Sequence, residues 1–319
     1  MVGVTTASPQ VAESPANSAA RRVAALCRVS WALTKGTTVT AFNYRITGLA
    51  AEAAFWALLS LPPLFLGLVS SVGHLSGLLG PDLVAEISGW IIARSRTFLT
   101  APVVDKVVIP LVDDVVRGER IGIISVGFLI SLWAGSRALN VYVDTITISY
   151  GLDGVRGIIR TRLRSFFLYI VGLVVAVVVI PLMIAGPALA RETFPATARL
   201  VSMLYWPVLL TLSILFLSLL YHLSVPVRTA WWRELPGAAV AVVFWIGGSF
   251  LLRVYLSESL TGVSVSASLA APIALMAWLY VTAFAVLVGA CLNAEVDRRW
   301  PAPGTSRARA VARMKHGGH

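Results

Sequence analysis

Charge is scarce in this chain. Asp, Glu, Lys and Arg make up 13% of its 319 residues, against about 25% in soluble domains. Cysteine is scarcer: Cys27 and Cys291 are the only two. Two cysteines exclude a disulfide framework, and the lack of a CxxC pair excludes a zinc ribbon. The four histidines are His74, His222, His316 and His319. The last two stand at the C-terminus, so no clustered His–carboxylate metal site is spelled out. HExxH, GxSxG, P-loop and dinucleotide-binding glycine motifs are all missing. These absences argue against an enzyme and imply no metal and no cofactor.

What fills the chain instead is apolar. Hydrophobic residues are 57% of it, and mean hydropathy is +0.82. Spanning a bilayer takes about 20 apolar residues. Phe166–Ala190, Leu200–Leu223 and Leu269–Leu292 qualify without a charge. Ile46–Val72, Ile121–Val143 and Pro236–Leu256 qualify with one intruder each: Glu52, Arg137 and Arg253. The expected fold is an all-α integral membrane protein of six transmembrane helices with amphipathic interfacial helices.

Six spans put both termini on one side, and the basic residues choose it. With cytoplasmic termini, 17 of the 26 Lys and Arg residues lie inside, 7 outside and two within spans. That bias follows the positive-inside rule and predicts a multi-pass protein with both termini cytoplasmic; the resemblance given below implies a bacterial plasma (inner) membrane. The net charge of +11 is then explained by topology and by attraction to anionic lipid, so no nucleic-acid partner is implied. Both cysteines fall on the cytoplasmic side and are expected as reduced thiols.

Around the membrane domain (46–297) the chain divides further. Residues 1–20 are small, polar and proline-dotted, and read as a disordered tail. Nothing there resembles a cleaved signal peptide. Residues 21–45 are amphipathic and basic, and read as a helix on the cytoplasmic surface. The outer segment 82–118 repeats an apolar pair every four residues, from Val103-Val104 to Val115-Val116. It is either an interfacial helix or a lid. Residues 298–319 form a basic cytoplasmic tail.

An ionisable residue inside a span costs about 2.5–3.5 kcal/mol at the bilayer centre on insertion scales, so it has a partner or a purpose. Glu52 lies seven residues past Arg45, about 10 Å deep. Arg137 lies seven residues before Asp144, at matching depth on the next, antiparallel span. The two are expected to pair, with Asn140 or Asn293 satisfying what is left over. Asn140, His222, Asn293 and Glu295 fall in the same half of the membrane. Together these six are either inter-helix bonds and snorkelling ends or the inner end of a polar, water-accessible cavity. Pro62-Pro63 removes two backbone donors and is expected to end or kink the first span; such breaks mark substrate sites in many transporters. Small residues four apart, Ala50/Ala54, Gly237/Ala241 and Ala285/Gly289, predict close helix packing.

Several stretches together carry a resemblance: "AAFWALLSLPPLFLGLVS", "SLWAGSRALNVYVDTITISYGL", "RTRLRSF", "WWRELPGAAVAVVFWIGGSFLLRVYL" and "LAAPIALMAWLYVTAFAVLVGACLNAEVDR". The chain resembles the YihY/BrkB family of bacterial inner-membrane proteins over roughly residues 30–300. Its most specific pieces are "LPGA" (235–238) and the Asn293-Ala294-Glu295 end of the sixth span; Ser136-Arg137 also matches. The resemblance implies six helices and suggests a transporter or permease-like protein for an envelope lipid or small solute, with membrane lipids as partners. The alternative is a non-transporting scaffold that supports envelope integrity. The family once carried the label ribonuclease BN, which the sparse histidines do not support.

The topology makes a first prediction. In intact cells, single cysteines at Ser95 or Thr193 are labelled by an impermeant maleimide and one at Thr161 is not; strong labelling at Thr161 would sink the arrangement.

Overall fold

The structure is a computed structural model. It describes residues 15–74, 121–155, 157–193, 198–227, 229–260 and 267–316, and scattered positions between 88 and 113. Most of the expected outer segment 82–118 lies outside the described residues, as do residues 1–14 of the expected tail.

Among the described residues eight long helices carry the fold: α1 (Pro15–Asn43), α2 (Ile46–His74), α3 (Ile121–Ser149), α4 (Ile158–Thr193), α5 (Ala198–Ser224), α6 (Leu235–Leu260), α7 (Ala267–Arg299) and α8 (Pro303–His316). A 3-10 turn at Trp231–Glu234 leads into α6, and no strand occurs among the described residues. Five helical segments there are long and apolar enough to cross a membrane: Ile46–Phe65, Val126–Ser149, Met203–Ser224, Trp231–Glu258 and Pro272–Arg299. Helix α4 runs unbroken for 36 residues, but its side chains beyond Val177 lie outside the described residues.

Helix α7 is the hub. It packs against α6, α2, α1 and α3, while α2 packs most extensively on α3. One buried cluster joins Ile146, Tyr150, Tyr221, Val286 and Ala290; another joins Ile46, Ala50, Ala53, Leu287 and Cys291. Both clusters use residues from the half of the bundle where α3 and α7 end and α6 begins, called the base below. Cys27 is exposed and Cys291 buried, both as free thiols.

The small residues explain the tightness of the α6–α7 contact. A Cβ on Gly237 would stand 2.2 Å from the Gly289 carbonyl oxygen, and one on Gly289 would stand 2.4 Å from the Gly237 carbonyl oxygen. The two backbones are in direct contact, as a small-xxx-small face allows.

Three expectations need correction. First, α1 starts at Pro15, not at residue 21: proline is pre-organised for the first helical turn, and the following Ala-rich stretch favours helix. Second, of the end or kink expected at Pro62-Pro63, the end does not occur: both prolines lie inside α2. Tertiary packing holds the helix across the missing donors. Leu64 is buried one residue beyond, the ring of Pro63 faces Gly127 of α3, and the ring of Phe128 sits against Gly67. Third, most of the C-terminal basic tail is itself a helix. Residues 303–316 form α8, with Ala312 buried.

The backbone contact gives the second prediction. Gly237→Ala forces a Cβ into a carbonyl and lowers stability by about 1–3 kcal/mol, read as a lower Tm in detergent. Gly247→Ala on the same helix meets nothing within 4 Å and is neutral or slightly stabilising through helix propensity. Equal Tm values for the two variants would contradict the close approach.

Candidate functional site

Of the six residues read either as inter-helix bonds and snorkelling ends or as one polar cavity, Arg137 and Asn140 line a common charged pocket whose lining does not include the other four. The six fall into separate groups, and only one of the expected contacts forms.

That contact is the ion pair. Arg137 Nη2 lies 3.2 Å from Glu52 Oε1, with 31% and 39% of the two side chains exposed. The guanidinium also sits 5.8 Å from the ring centroid of Trp56, and Trp56 meets Trp133 edge-on at 5.3 Å. Trp56 is four residues after Glu52 and Trp133 four before Arg137, so each helix offers an i,i+4 pair to its antiparallel neighbour. The cation is held by a carboxylate and an aromatic face together.

Asn140 does not complete this pair. Its Nδ2 donates to Asp144 Oδ2 at 2.5 Å, and its Oδ1 accepts from Ser165 of α4 at 3.3 Å. Asn293 is further away in role as well as in space. Its Oδ1 accepts from the Gly237 backbone N–H at 2.8 Å, and its Nδ2 donates to the Glu234 carbonyl at 2.9 Å. Gly237 is the third residue of α6, whose first N–H groups have no partner within the helix, so Asn293 caps α6 from α7. Glu295 pairs with Arg298 at 3.4 Å and packs against Gly36 of α1. His222, near the end of α5, has a buried Nδ1 with no partner among the described residues. Among the described residues no three His, Cys, Asp or Glu side chains gather as metal ligands.

Sequence reasoning missed the largest polar network, which ties the base together. Glu234 is 1% exposed; it accepts from Tyr150 Oη at 2.6 Å and from Thr229 Oγ1 at 3.3 Å. Burial, and after it the Glu234 carboxylate, pushes the Tyr150 hydroxyl well above its ordinary pKa, so it stays a donor. Asp297 binds Arg309 at 2.7 Å and Arg233 at 3.4 Å, and accepts from Ala302 N and Thr305 Oγ1 at the start of α8. Arg233 also donates to the Trp300 carbonyl. Arg309 Nε reaches the Tyr150 carbonyl at 2.8 Å; Arg298 reaches the Ser149 carbonyl at 3.1 Å and Thr40 at 2.9 Å. Signals for part of it were present: Glu234 directly precedes "LPGA", and Asp297 stands two residues after Glu295.

Two cavities flank the α3–α4 contact. One, of about 600 Å³, is almost wholly apolar and is lined by Leu64, Leu139, Tyr142, Leu168, Phe216 and others of α2, α3, α4 and α5. Its wall residues Val171, Leu215, Phe216 and Leu219 are themselves exposed, so it is a crevice open on the side. A second apolar cavity of about 320 Å³ shares Gly172, Val175 and Phe216 with it. The other, of about 380 Å³, is charged and is lined by Arg137, Asn140, Asp144, Asp153, Thr161 and Arg162.

The chain matches the family model described as Virulence factor BrkB over residues 41–313. It is also similar to YfkH of Bacillus subtilis (strain 168), whose name calls it ribonuclease-like. The two are 24% identical over 260 residues, covering 80% of this chain and 91% of that protein. No solved structure matches the chain.

The ion pair yields the third prediction. Removing one partner leaves a charge unpaired in the bundle, which costs more than removing both. Glu52→Gln and Arg137→Met each lower Tm in detergent, and the double variant recovers part of the loss. Additive losses would show that the two side chains do not depend on each other.

Proposed function

The chain belongs to the Virulence factor BrkB family, and from that premise we propose that it is a six-span inner-membrane protein that binds an envelope lipid and moves it between the membrane and a lateral crevice. The multi-pass character is carried by its apolar helices. For the sixth span we propose α4, whose segment 166–190 has no charge. The termini are cytoplasmic on the basic bias, so the base faces the cytoplasm.

The observation that carries the lipid reading is the crevice itself. Small-molecule sites place a few polar groups in an apolar lining. Here the 600 Å³ space offers almost none, so a polar solute gains nothing by entering it, whereas acyl chains do. The two spaces use different faces of α3 but a common face of α4, where Arg162 and Leu168 are six residues apart, about 9 Å of rise. An amphiphile laid along α4 would place its tails in the crevice and its head at the charged pocket.

The rigid base supports a division of labour. Helices α6, α7, α1 and α8 are bound to one another by charged and capping contacts, while α5 has the least buried apolar segment of the five. We assign gating of the crevice to α4 and α5 moving against α2, α3 and α7. The runner-up is a non-transporting scaffold, favoured by the same bonded base. Ribonuclease activity is no part of this reading.

Gly172 supplies the test. It lines both apolar cavities, and a Cβ there meets nothing within 4 Å, so Gly172→Phe starts a bulky side chain from an open position on the crevice wall. In proteoliposomes carrying fluorescent phospholipid, wild-type protein accelerates exchange between leaflets. Gly172→Phe returns it to the protein-free rate with helix content and Tm intact. Wild-type vesicles that behave like empty ones would leave the scaffold reading standing.

A further inference from the structure

The charged pocket at the α3–α4 corner holds opposite charges that the protein itself does not use up. Of its four charged residues, Arg137 is engaged by Glu52, and Asp144 accepts from Asn140. Asp153, in the α3–α4 loop, and Arg162, in the second turn of α4, take part in none of the ion pairs among the described residues. They line one pocket without reaching each other within the 4 Å of an ion pair. Asp144 lies in electrostatic reach of Arg162, Arg137 and Asp153 alike.

The loop holds this separation open. Helix α3 ends in a Schellman arrangement: the Leu152 N–H donates to the Thr147 carbonyl at 3.1 Å and the Gly151 N–H to the Ile148 carbonyl at 2.8 Å. Gly151 and Gly154 both carry positive φ, +68° and +71°, a conformation glycine adopts without strain. Asp153 sits between them, so its backbone position is set by the turn.

The charge pattern selects among headgroups. A purely anionic head would face Asp144 and Asp153; a purely cationic one would face Arg162. A head with both signs satisfies both sides. The lining contains no Phe, Tyr or Trp, so it lacks the aromatic walls that receive a quaternary ammonium. Carboxylates instead accept hydrogen bonds from a primary ammonium. We infer that this pocket binds the headgroup of an aminophospholipid, phosphate toward Arg162 and primary ammonium toward Asp153 and Asp144. The assignment rests on the lipid reading above and names its substrate class.

The test is lipid retention by the full-length protein, measured by native mass spectrometry after exposure to an equimolar mixture of phosphatidylethanolamine, phosphatidylglycerol and phosphatidylcholine in detergent. Wild-type protein keeps phosphatidylethanolamine over both others. Asp153→Asn, an exposed loop change with no bonding role in the fold, cuts the preference over phosphatidylglycerol about fivefold, the size of one lost charge contact of about 1 kcal/mol. Arg162→Gln weakens retention of all three phospholipids. Phosphatidylglycerol held as well as phosphatidylethanolamine would overturn the headgroup assignment and leave the lipid reading intact. Phosphatidylcholine held equally would overturn the primary-ammonium part, and an unchanged preference in Asp153→Asn would remove the pocket from the argument. Retention of no phospholipid by either wild type or Gly172→Phe would bring down the lipid reading, and this assignment with it.

Discussion

Helix ends meet at one level of this bundle, and none can leave its backbone polar groups bare away from water. That constraint organises the base. The Gly237 N–H in the first turn of α6 is met by Asn293 of α7. The carbonyls that close α3 are met by its own Gly151–Leu152 turn, by Arg298 and by Arg309. The start of α8 is met by Asp297. Apart from α3's own turn, the partners come from neighbouring helices, with Asn293, Asp297 and Arg298 all on α7, so satisfying the ends also binds α3, α6, α7 and α8 to one another, and Arg298 reaches α1 at Thr40. Glu234 sits where these contacts converge, bonded by two hydroxyls.

With the base held this way, the remaining helices have different freedoms. Helices α2 and α3 are joined by the Glu52–Arg137 pair and the Trp56–Trp133 contact, which stand on one shared face. Helix α4 meets α3 through the Asn140–Ser165 bond and the Tyr169 ring against Gly135, with an apolar crevice beside that contact. A bundle bonded at one end and open along one side suits a molecule that enters from the membrane rather than from water. The lipid reading draws its support from that asymmetry, not from the polar cavity that the six ionisable and amide residues suggested.

Much of the fold was legible in the sequence because membrane insertion leaves few options. Apolar length locates spans, and the intruding Glu52 and Arg137 demanded partners at equal depth, which is why their contact was readable from spacing. The small pairs Gly237/Ala241 and Ala285/Gly289 pointed to the α6–α7 approach for the same reason. The rest of the site was less legible. Asn140, Asn293 and Glu295 share a depth with the pair, but depth says nothing about the rotation of each helix, and rotation decides which neighbour a side chain meets. Asn140 turns toward α4, Asn293 toward the start of α6 and Glu295 toward α1.

What the sequence by itself determined, then, is the helical class, the membrane setting and one ion pair, since hydropathy and charge act locally and their penalties are large in lipid. Two matters were decided only by the tertiary structure. Helix α2 passes through Pro62-Pro63 because α3 packs at the prolines and one turn beyond, with Gly127 on Pro63 and Phe128 on Gly67, and local propensity yields to that packing. The network of Glu234, Tyr150, Asp297 and Arg309 gathers residues up to 159 positions apart, each ordinary at a loop or span end on its own. Their meaning lies in the helix ends they satisfy, and those ends become neighbours only once the bundle has closed.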